Sequence, residues 1–286
     1  MESGPRASRS GVLPPILFPF ALRTPSFAPK PMTPDTFFSH LASCRSGLLM
    51  LDYDGTLAPF HSDRMRAYPA PGMLELLLDI EATSTTRIVI VTGRPCREIP
   101  LLIQLRQNIE IWGCHGREHQ DPAGTLRCFG VTPRDEQLLA EARRRVVAVV
   151  GEDRVESKTG CCAVHWRPLS PERRAEVREL ASHVWREFVE QHGMAIDIFD
   201  GGIELSVPGR SKGDSVAALI EGLDPASTAI AFLGDDLTDE NGFRVLKGKG
   251  LCVLVKNHDR ETLADVRITL PEGVLEFLRR WRDCVK

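Results

Sequence analysis

The sequence lacks the features that mark three large classes of protein. Its eight cysteines are scattered over 286 residues without a C-x-x-C pair, which argues against a disulfide framework or a zinc site and favours a reducing compartment. The net charge of −3 gives no indication of binding to nucleic acid or to an anionic membrane. No uninterrupted apolar run is long enough to span a bilayer. We therefore expect a cytoplasmic globular protein that binds neither nucleic acid nor membrane.

The first 34 residues differ in composition from the rest of the chain. They are rich in Pro and Ser, and they carry four basic residues against one acid. The apolar stretch GVLPPILFPFAL, residues 11–22, is interrupted by three prolines and is too short to cross a bilayer. We expect residues 1–34 to form a disordered extension, or translation to start at Met32. A signal or transit peptide is the alternative, although no clear cleavage site follows.

From Gly47 onward the chain alternates predicted strands and helices. The apolar pattern predicts strands at 47–51, 87–91, 109–113, 228–236 and 250–255, and helices at 71–83, 96–106, 212–223, 238–246 and 271–285. Repeated βα units indicate an α/β fold with a parallel sheet covered by helices on both faces. We expect residues 35–120 and 205–286 to form this core.

The regular alternation of strands and helices is interrupted between residues 121 and 204. The pattern predicts helices at 136–150 and 171–192, and strands at 154–159, 161–166, 195–199 and 202–207. The first strand pair turns at Gly160 and the second at Gly201-Gly202. This order indicates an α+β module inserted into the α/β core.

Acidic residues follow the first predicted strand, in the segment LLMLDYDGTLAPF. Asp52 and Asp54 are two residues apart, so in an extended chain they point to the same side. Asp235 follows a later strand, and the carboxyl ends of parallel strands meet at one edge of the sheet. Three carboxylates close together require a cation, and oxygen ligands without His or Cys suit Mg²⁺.

A calcium-binding EF-hand loop is the alternative for these acids, and the spacing excludes it. Such a loop needs Gly at position six and Glu at position twelve, but counting from Asp52 gives Leu57 and Asp63.

Phosphoryl chemistry explains why these residue types occur together. A carboxylate beside Mg²⁺ can attack phosphorus, which makes Asp52 the predicted nucleophile and Asp54 the predicted acid/base. Thr92 and Lys212 would then bind phosphoryl oxygens as a hydroxyl donor and a point charge. Each feature alone has an ordinary structural explanation, such as a turn or a solvated lysine at a helix start. Their joint occurrence at strand ends favours chemistry.

The motifs resemble those of the haloacid dehalogenase superfamily of phosphohydrolases, and within it the trehalose-6-phosphate phosphatases. The matching segments are LDYDGTLAPF, the Thr-Gly-Arg that begins at Thr92, HGRE (115–118), ESK (156–158), VHWR (164–167), ELSVPGRSKG (204–213) and GDDLTDENGFRVL (234–246). The resemblance extends from about residue 44 to the C-terminus. It implies a Rossmann-like core, an inserted α+β cap over the sugar, and hydrolysis of trehalose 6-phosphate through an aspartyl-phosphate. We expect a monomer, although the sequence does not determine the oligomeric state.

The resemblance also implies roles for individual residues. Asp52 and Asp235 would bind Mg²⁺ by side chain and Asp54 by its backbone carbonyl. The expected supports of the metal are Asp236 and Asp239. The expected contacts to the disaccharide or its phosphate are Glu118, Lys158, Arg167 and Glu204. Arg94 either reaches the phosphate or restrains a loop.

The sequence departs from the family pattern near the expected sugar site. Trp166 stands where the family usually has Tyr, and Ser206-Val207 stands where it has Arg-Pro; Thr92 replaces a Ser and keeps the hydroxyl. These changes leave open a different ester, such as sucrose 6-phosphate or mannosyl-3-phosphoglycerate. A non-catalytic sugar-phosphate sensor and a phosphate-transferring mutase are further alternatives, although the predicted catalytic residues are all present.

Overall fold

The computed structural model describes residues 32–103, 109–199 and 201–285. The strands are β1 (Ser46–Leu51), β2 (Thr86–Val91), β3 (Glu110–Gly113), β4 (Glu118–Gln120), β5 (Leu126–Cys128), β6 (Val155–Lys158), β7 (Cys161–His165), β8 (Ala195–Phe199), β9 (Gly202–Ser206), β10 (Thr228–Gly234), β11 (Leu251–Val255) and β12 (Val266–Ile268). The helices are α1 (Pro34–Ser43), α2 (Met73–Thr83), α3 (Ile99–Leu102), α4 (Pro133–Val150), α5 (Pro171–His192), α6 (Lys212–Ile220), α7 (Asp239–Leu246) and α8 (Glu272–Val285). No helix in these ranges is both long and apolar enough to cross a membrane.

An eight-stranded sheet forms the core, in the order β12-β11-β10-β1-β2-β3-β4-β5. The strands from β12 to β3 pair in parallel, and β4 and β5 continue the sheet antiparallel. Leu48 and Met50 of β1 pack on the face that α6 and α7 cover, whereas Leu49 and Leu51 pack on the face that α1, α2 and α8 cover. The predicted α/β fold, with a central parallel strand buried on both faces, is confirmed.

Several elements lie outside the sequence predictions. The β4–β5 hairpin was not predicted because every residue of β5 is exposed, so the segment has no apolar alternation. The helix predicted at 96–106 is a 3₁₀ turn, Cys96–Glu98, followed by α3. Residues 104–106 of this prediction lie outside the described ranges. The expected extension, residues 1–34, also lies outside them except for its last three residues. Of these, Thr33 caps α1 by accepting a hydrogen bond from the Thr36 amide.

The inserted module has its own sheet and its own hydrophobic cluster. The sheet is antiparallel, in the order β6-β7-β9-β8, and α4 and α5 pack on it through side chains such as Val146, Trp185 and Leu205. Strand pairing puts residues 126–128 in the core sheet and Ser206 in the inserted sheet. We therefore propose that the insertion, which we call the cap, comprises residues 129–207 instead of the predicted 121–204.

Candidate active site

A cavity of about 640 Å³ lies between the core sheet and the cap. Residues that follow β1, β2 and β10 form its floor, because neighbouring parallel strands present their carboxyl ends at the same edge. The predicted site residues on its wall are Asp52, Asp54, Thr92, Arg94, Lys158, Arg167, Glu204, Lys212, Asp235 and Asp236. Of the predicted site residues, Glu118 and Asp239 do not line the cavity, although Asp239 lies directly beneath it against Asp52 and Asp235.

Three buried carboxylates form an acid cluster at the cavity floor. Oxygens of Asp52, Asp235 and Asp239 lie within 4.8 Å of one another. Burial, together with the neighbouring carboxylates, raises the pKa of Asp52 and raises that of Asp235 to about 7. Gly55 adopts a φ of +78°, and a Cβ there would lie 2.3 Å from Oδ2 of Asp235, so only glycine allows this close approach. The all-oxygen donor set fits a hard divalent cation such as Mg²⁺.

Lys212, the first residue of α6, is the cation within the acid cluster. Its ammonium donates hydrogen bonds to Oδ1 of Asp52 at 2.6 Å and to Oδ1 of Asp239 at 2.7 Å. Burial alone would lower the pKa of Lys212, but these two carboxylates outweigh burial and raise it, so the side chain stays charged. Lys256 adds a longer contact of 3.4 Å to Asp235. When all three carboxylates are ionised they face only these two cations, so one more positive charge is needed to balance them.

Asp239 holds the other members of the acid cluster in place through hydrogen bonds. Its side chain is fully buried, and its Oδ2 accepts hydrogen bonds from the amides of Asp235 at 3.0 Å and Asp236 at 2.9 Å. Its other oxygen accepts from Lys212. Because both oxygens are used in this way, Asp239 holds the loop after β10 in place and orients Lys212.

The carboxylate of Asp54 is held by Arg94. The guanidinium donates from Nε to Oδ2 at 2.6 Å and from Nη2 to Oδ1 at 2.7 Å, a bidentate ion pair. The guanidinium carbon also lies 5.3 Å from the ring centroid of Tyr53, whose hydroxyl donates to the carbonyl of Ala67 at 2.7 Å. The sequence left two roles open for Arg94, phosphate contact or loop restraint. In this structure it contacts the predicted acid/base instead.

Thr92 presents its hydroxyl at the end of β2. The side chain is buried at the cavity wall, and its Oγ1 accepts a hydrogen bond from the amide of Arg94 at 3.2 Å. A hydroxyl that accepts one bond still has a hydrogen to donate. Thr92 can therefore donate to an oxygen atom of a bound ligand.

The cap places an ion pair opposite the acid cluster. Lys158 of β6 lies 2.7 Å from Oε2 of Glu204 of β9, and both side chains are buried. Burial alone would raise the pKa of Glu204, but Lys158 lowers it to about 2, so the side chain is a carboxylate at neutral pH. His115 of the core lies 4.0 Å from the other oxygen of Glu204. Burial lowers the pKa of His115 to about 4, so the imidazole is neutral at pH 7.

Arg167 crosses the boundary between cap and core. Its guanidinium carbon lies 4.3 Å from the ring centroid of Phe60, which belongs to the loop after β1. Both residues line the cavity. A cation over an aromatic face is attractive, so this contact helps to hold the cap over the core.

Glu118 occupies a different place from the predicted substrate contact. Its Oε2 accepts a hydrogen bond from the amide of Cys96 at 2.7 Å, and its Oε1 accepts from the hydroxyl of Thr159 at 2.5 Å. Cys96 belongs to the core and Thr159 to the β6–β7 turn of the cap. Because both oxygens are used and the side chain does not line the cavity, Glu118 joins core and cap in this structure.

Other charged residues on the cavity wall were not predicted from the sequence. Arg64 pairs with Glu98 of the core and with Glu156 of the cap. Arg210 lies with its guanidinium carbon 4.7 Å from the ring centroid of Phe129, and its Nε is buried without a hydrogen-bond partner among the described residues. Arg64 lies outside the matching motifs. Arg210 lies within one of them, ELSVPGRSKG, but arginines in polar segments usually lie on solvated surfaces, so its residue type alone did not single it out.

The fold and the site together define a class of enzyme. An α/β core with an inserted cap carries carboxylates, a threonine and a lysine at the ends of parallel strands. A solved haloacid dehalogenase-like hydrolase from B. subtilis has the same fold, with a TM-score of 0.55 at 15% identity, over 81% of this chain and 98% of that one. The chain therefore has the fold of the haloacid dehalogenase-like hydrolases.

Comparisons at the level of the family are more specific. The family model described as trehalose-phosphatase matches residues 50–267. A relative from Oryza sativa subsp. japonica, probable trehalose-phosphate phosphatase 9, is 28% identical over 278 residues, which cover 86% of this chain and 73% of the relative. The solved C-terminal domain of C. albicans trehalose-6-phosphate phosphatase has a TM-score of 0.74 at 19% identity, over 87% and 96% of the two chains. This chain belongs to the trehalose-phosphatase family.

Proposed function

We propose that this protein hydrolyses trehalose 6-phosphate to trehalose and phosphate in a Mg²⁺-dependent reaction through an aspartyl-phosphate. The observation that carries the proposal is the Asp52 carboxylate, which lines the cavity and is held by Lys212 within the acid cluster. A carboxylate next to a fixed cation can attack a phosphorus atom whose oxygens that cation binds. Family membership and the activity in the name of the rice relative support trehalose 6-phosphate as the substrate.

The proposed reaction has two steps at Asp52. In the first, an oxygen of Asp52 attacks phosphorus, the bond from phosphorus to the sugar oxygen breaks, and protonated Asp54 donates its proton to that oxygen. In the second, water attacks the phosphorus of the aspartyl-phosphate and the Asp54 carboxylate takes the proton from this water. The bond from phosphorus to Asp52 then breaks, which releases phosphate and restores both side chains. Thr92 and Lys212 donate hydrogen bonds to the phosphoryl oxygens throughout.

The acid cluster fits the proposed Mg²⁺. Asp52 and Asp235 would bind the ion by side chain and Asp54 by its backbone carbonyl, while Asp236 and Asp239 would support the site. The raised pKa values of Asp52 and Asp235 reflect buried negative charge that Lys212 does not fully compensate. Bound Mg²⁺ would supply positive charge to the carboxylates and to the phosphoryl group.

The cap supplies the proposed contacts to the disaccharide. Lys158, Arg167 and Glu204 line the cavity, and charged donors and acceptors bind sugar hydroxyls strongly. Of the departures from the family pattern in the cap, Trp166 packs in the hydrophobic cluster and does not line the cavity, whereas Ser206 lines it. The choice between trehalose 6-phosphate and another sugar ester therefore depends on the wall around Ser206.

Phosphate release tests both the reaction and the substrate. The purified protein is assayed with Mg²⁺ on trehalose 6-phosphate, sucrose 6-phosphate, glucose 6-phosphate and mannosyl-3-phosphoglycerate, with Asp52→Asn as the control. We expect a strong preference for the trehalose ester and no turnover by Asp52→Asn. Preference for another ester would change the substrate and keep the mechanism, and substantial activity of Asp52→Asn would exclude the aspartyl-phosphate. Binding without release would favour a sensor. The monomeric state and cytoplasmic location stay predictions.

A further inference from the structure

Arg64 lies at the boundary between core and cap and pairs with one carboxylate from each. It begins the 3₁₀ turn Arg64–Arg66 in the loop after β1. Its guanidinium forms one ion pair with Glu98 of the core and a second with Glu156 of β6 in the cap. Glu156 also lies 2.8 Å from Nε2 of His165, and although burial alone would raise its pKa, these neighbours lower it to about 2. Glu156 is therefore a carboxylate at neutral pH because cations accompany it.

Glu98 connects this boundary to the proposed acid/base. Its Oε2 lies 3.5 Å from Nη1 of Arg94, which in turn holds Asp54 at 2.6 and 2.7 Å. The charges alternate from the active site to the cap, and each arginine is shared by two carboxylates. Arg94 is shared by Asp54 and Glu98, and its contacts to Asp54 are the shorter ones. Arg64 lies against the competing carboxylate of Glu98 and so compensates its charge.

We propose that Arg64 is a positioning residue that couples the position of the cap to the position of the Asp54 carboxylate. This inference rests on the proposed function in one respect, the role of Asp54 as acid/base. Without Arg64, Glu98, whose side chain is 13% exposed, would have Arg94 as its only cation among the described residues. An unpaired buried carboxylate is costly, so Glu98 would draw Arg94 away from Asp54. The cap would also lose its ion pair to the core.

Two variants separate these two effects. Glu156→Gln removes the ion pair to the cap and leaves Arg64 beside Glu98, whereas Arg64→Gln disturbs both sides. The matched control is Arg66→Gln, because Arg66 lies in the same turn, is exposed and forms no ion pair among the described residues. Each protein is assayed with Mg²⁺ on the sugar phosphate that the wild type prefers and on p-nitrophenyl phosphate. The sugar alcohol needs a proton to leave, whereas p-nitrophenolate is a good leaving group that does not.

We expect Arg64→Gln to lower kcat on the sugar ester by at least about tenfold, a part of the ~10²–10⁴-fold that general acid catalysis supplies. In the first turnover, its rate of p-nitrophenolate release should stay close to that of Arg66→Gln, which also shows that the variant folds, because with this substrate only the later attack of water needs Asp54. Glu156→Gln should raise KM for the sugar ester and keep kcat.

Three results would overturn the coupling. They are equal losses of Arg64→Gln on both substrates in the first turnover, a profile indistinguishable from Arg66→Gln, and a rise in KM alone as in Glu156→Gln. The wild-type substrate panel tests the proposed function separately, because the comparison of leaving groups uses whichever sugar ester the enzyme prefers.

Discussion

Replacing Lys212 with Met should destabilise the metal-free protein strongly. The change removes the cation that Asp52 and Asp239 share and keeps a flexible apolar side chain in its place. The two carboxylate side chains are 5% and 0% exposed, so water cannot replace the ammonium in the folded state. Removing one partner of a buried ion pair costs about 3–5 kcal/mol. We expect the free energy of unfolding of Lys212→Met to fall by about that amount, and urea unfolding without metal measures it.

Mg²⁺ should restore part of this stability without restoring activity. A ligand that binds only the folded state at 100 times its Kd stabilises it by about 2.7 kcal/mol. If the acid cluster holds Mg²⁺, the ion should stabilise Lys212→Met at least as much as the wild type, because more negative charge is left to compensate. Phosphate release should stay absent, since in the proposed mechanism Lys212 also binds the phosphoryl oxygens. Urea unfolding and turnover are therefore measured with and without Mg²⁺.

Lys256→Met is the matched control for this prediction. Lys256 contacts only Asp235 among the described carboxylates, at 3.4 Å, and its side chain is 15% exposed. Weak ion pairs contribute roughly 0–1 kcal/mol, so this variant should lose at most about 1 kcal/mol. If Lys212→Met loses no more than Lys256→Met, the acid cluster is not the buried, charged group described above, and the reasoning about Mg²⁺ fails with it.

Three further variants test individual residues. Burial raises the pKa of Asp235 to about 7, above the ordinary 3.8, so between these pH values the folded protein holds a proton that the unfolded chain has lost. Without Mg²⁺, the free energy of unfolding should therefore fall as pH rises from about 4 to about 7. Urea titrations should show a flatter pH dependence for Asp235→Asn. Glu204→Ala should raise KM for the disaccharide ester far more than for p-nitrophenyl phosphate, and equal changes would mean that Glu204 is structural. Glu118→Gln should leave KM unchanged and lower the free energy of unfolding by about 1–3 kcal/mol, since a buried hydrogen bond between core and cap is disturbed. A raised KM would instead indicate that Glu118 contacts the substrate.

The position of the acid cluster could be predicted because it follows from a general property of parallel sheets. Asp52, Thr92 and Asp235 each come directly after a strand whose neighbours run in the same direction. Such strands end at one edge, so residues far apart in the chain meet there. Lys212 could be added because a lysine that begins a helix of a βα unit lies at the same edge. Apolar periodicity therefore locates most of the candidate site, provided that these strands are neighbours in the sheet.

The partner of each charged residue could not be predicted in the same way, because it depends on contacts between core and cap. Glu118 contacts Thr159, 41 residues away, from strand β4, which runs antiparallel at the edge of the core sheet. The β4–β5 hairpin could not be predicted because its second strand is exposed and lacks apolar alternation. A motif specifies which residue types are present, but it does not specify with which of several carboxylates an arginine forms an ion pair. Arg94 could have reached phosphate, yet a bidentate contact with Asp54 satisfies its buried guanidinium before any ligand binds. Phosphate must therefore compete with Asp54 for Arg94, and the contacts that set this competition lie outside the motifs.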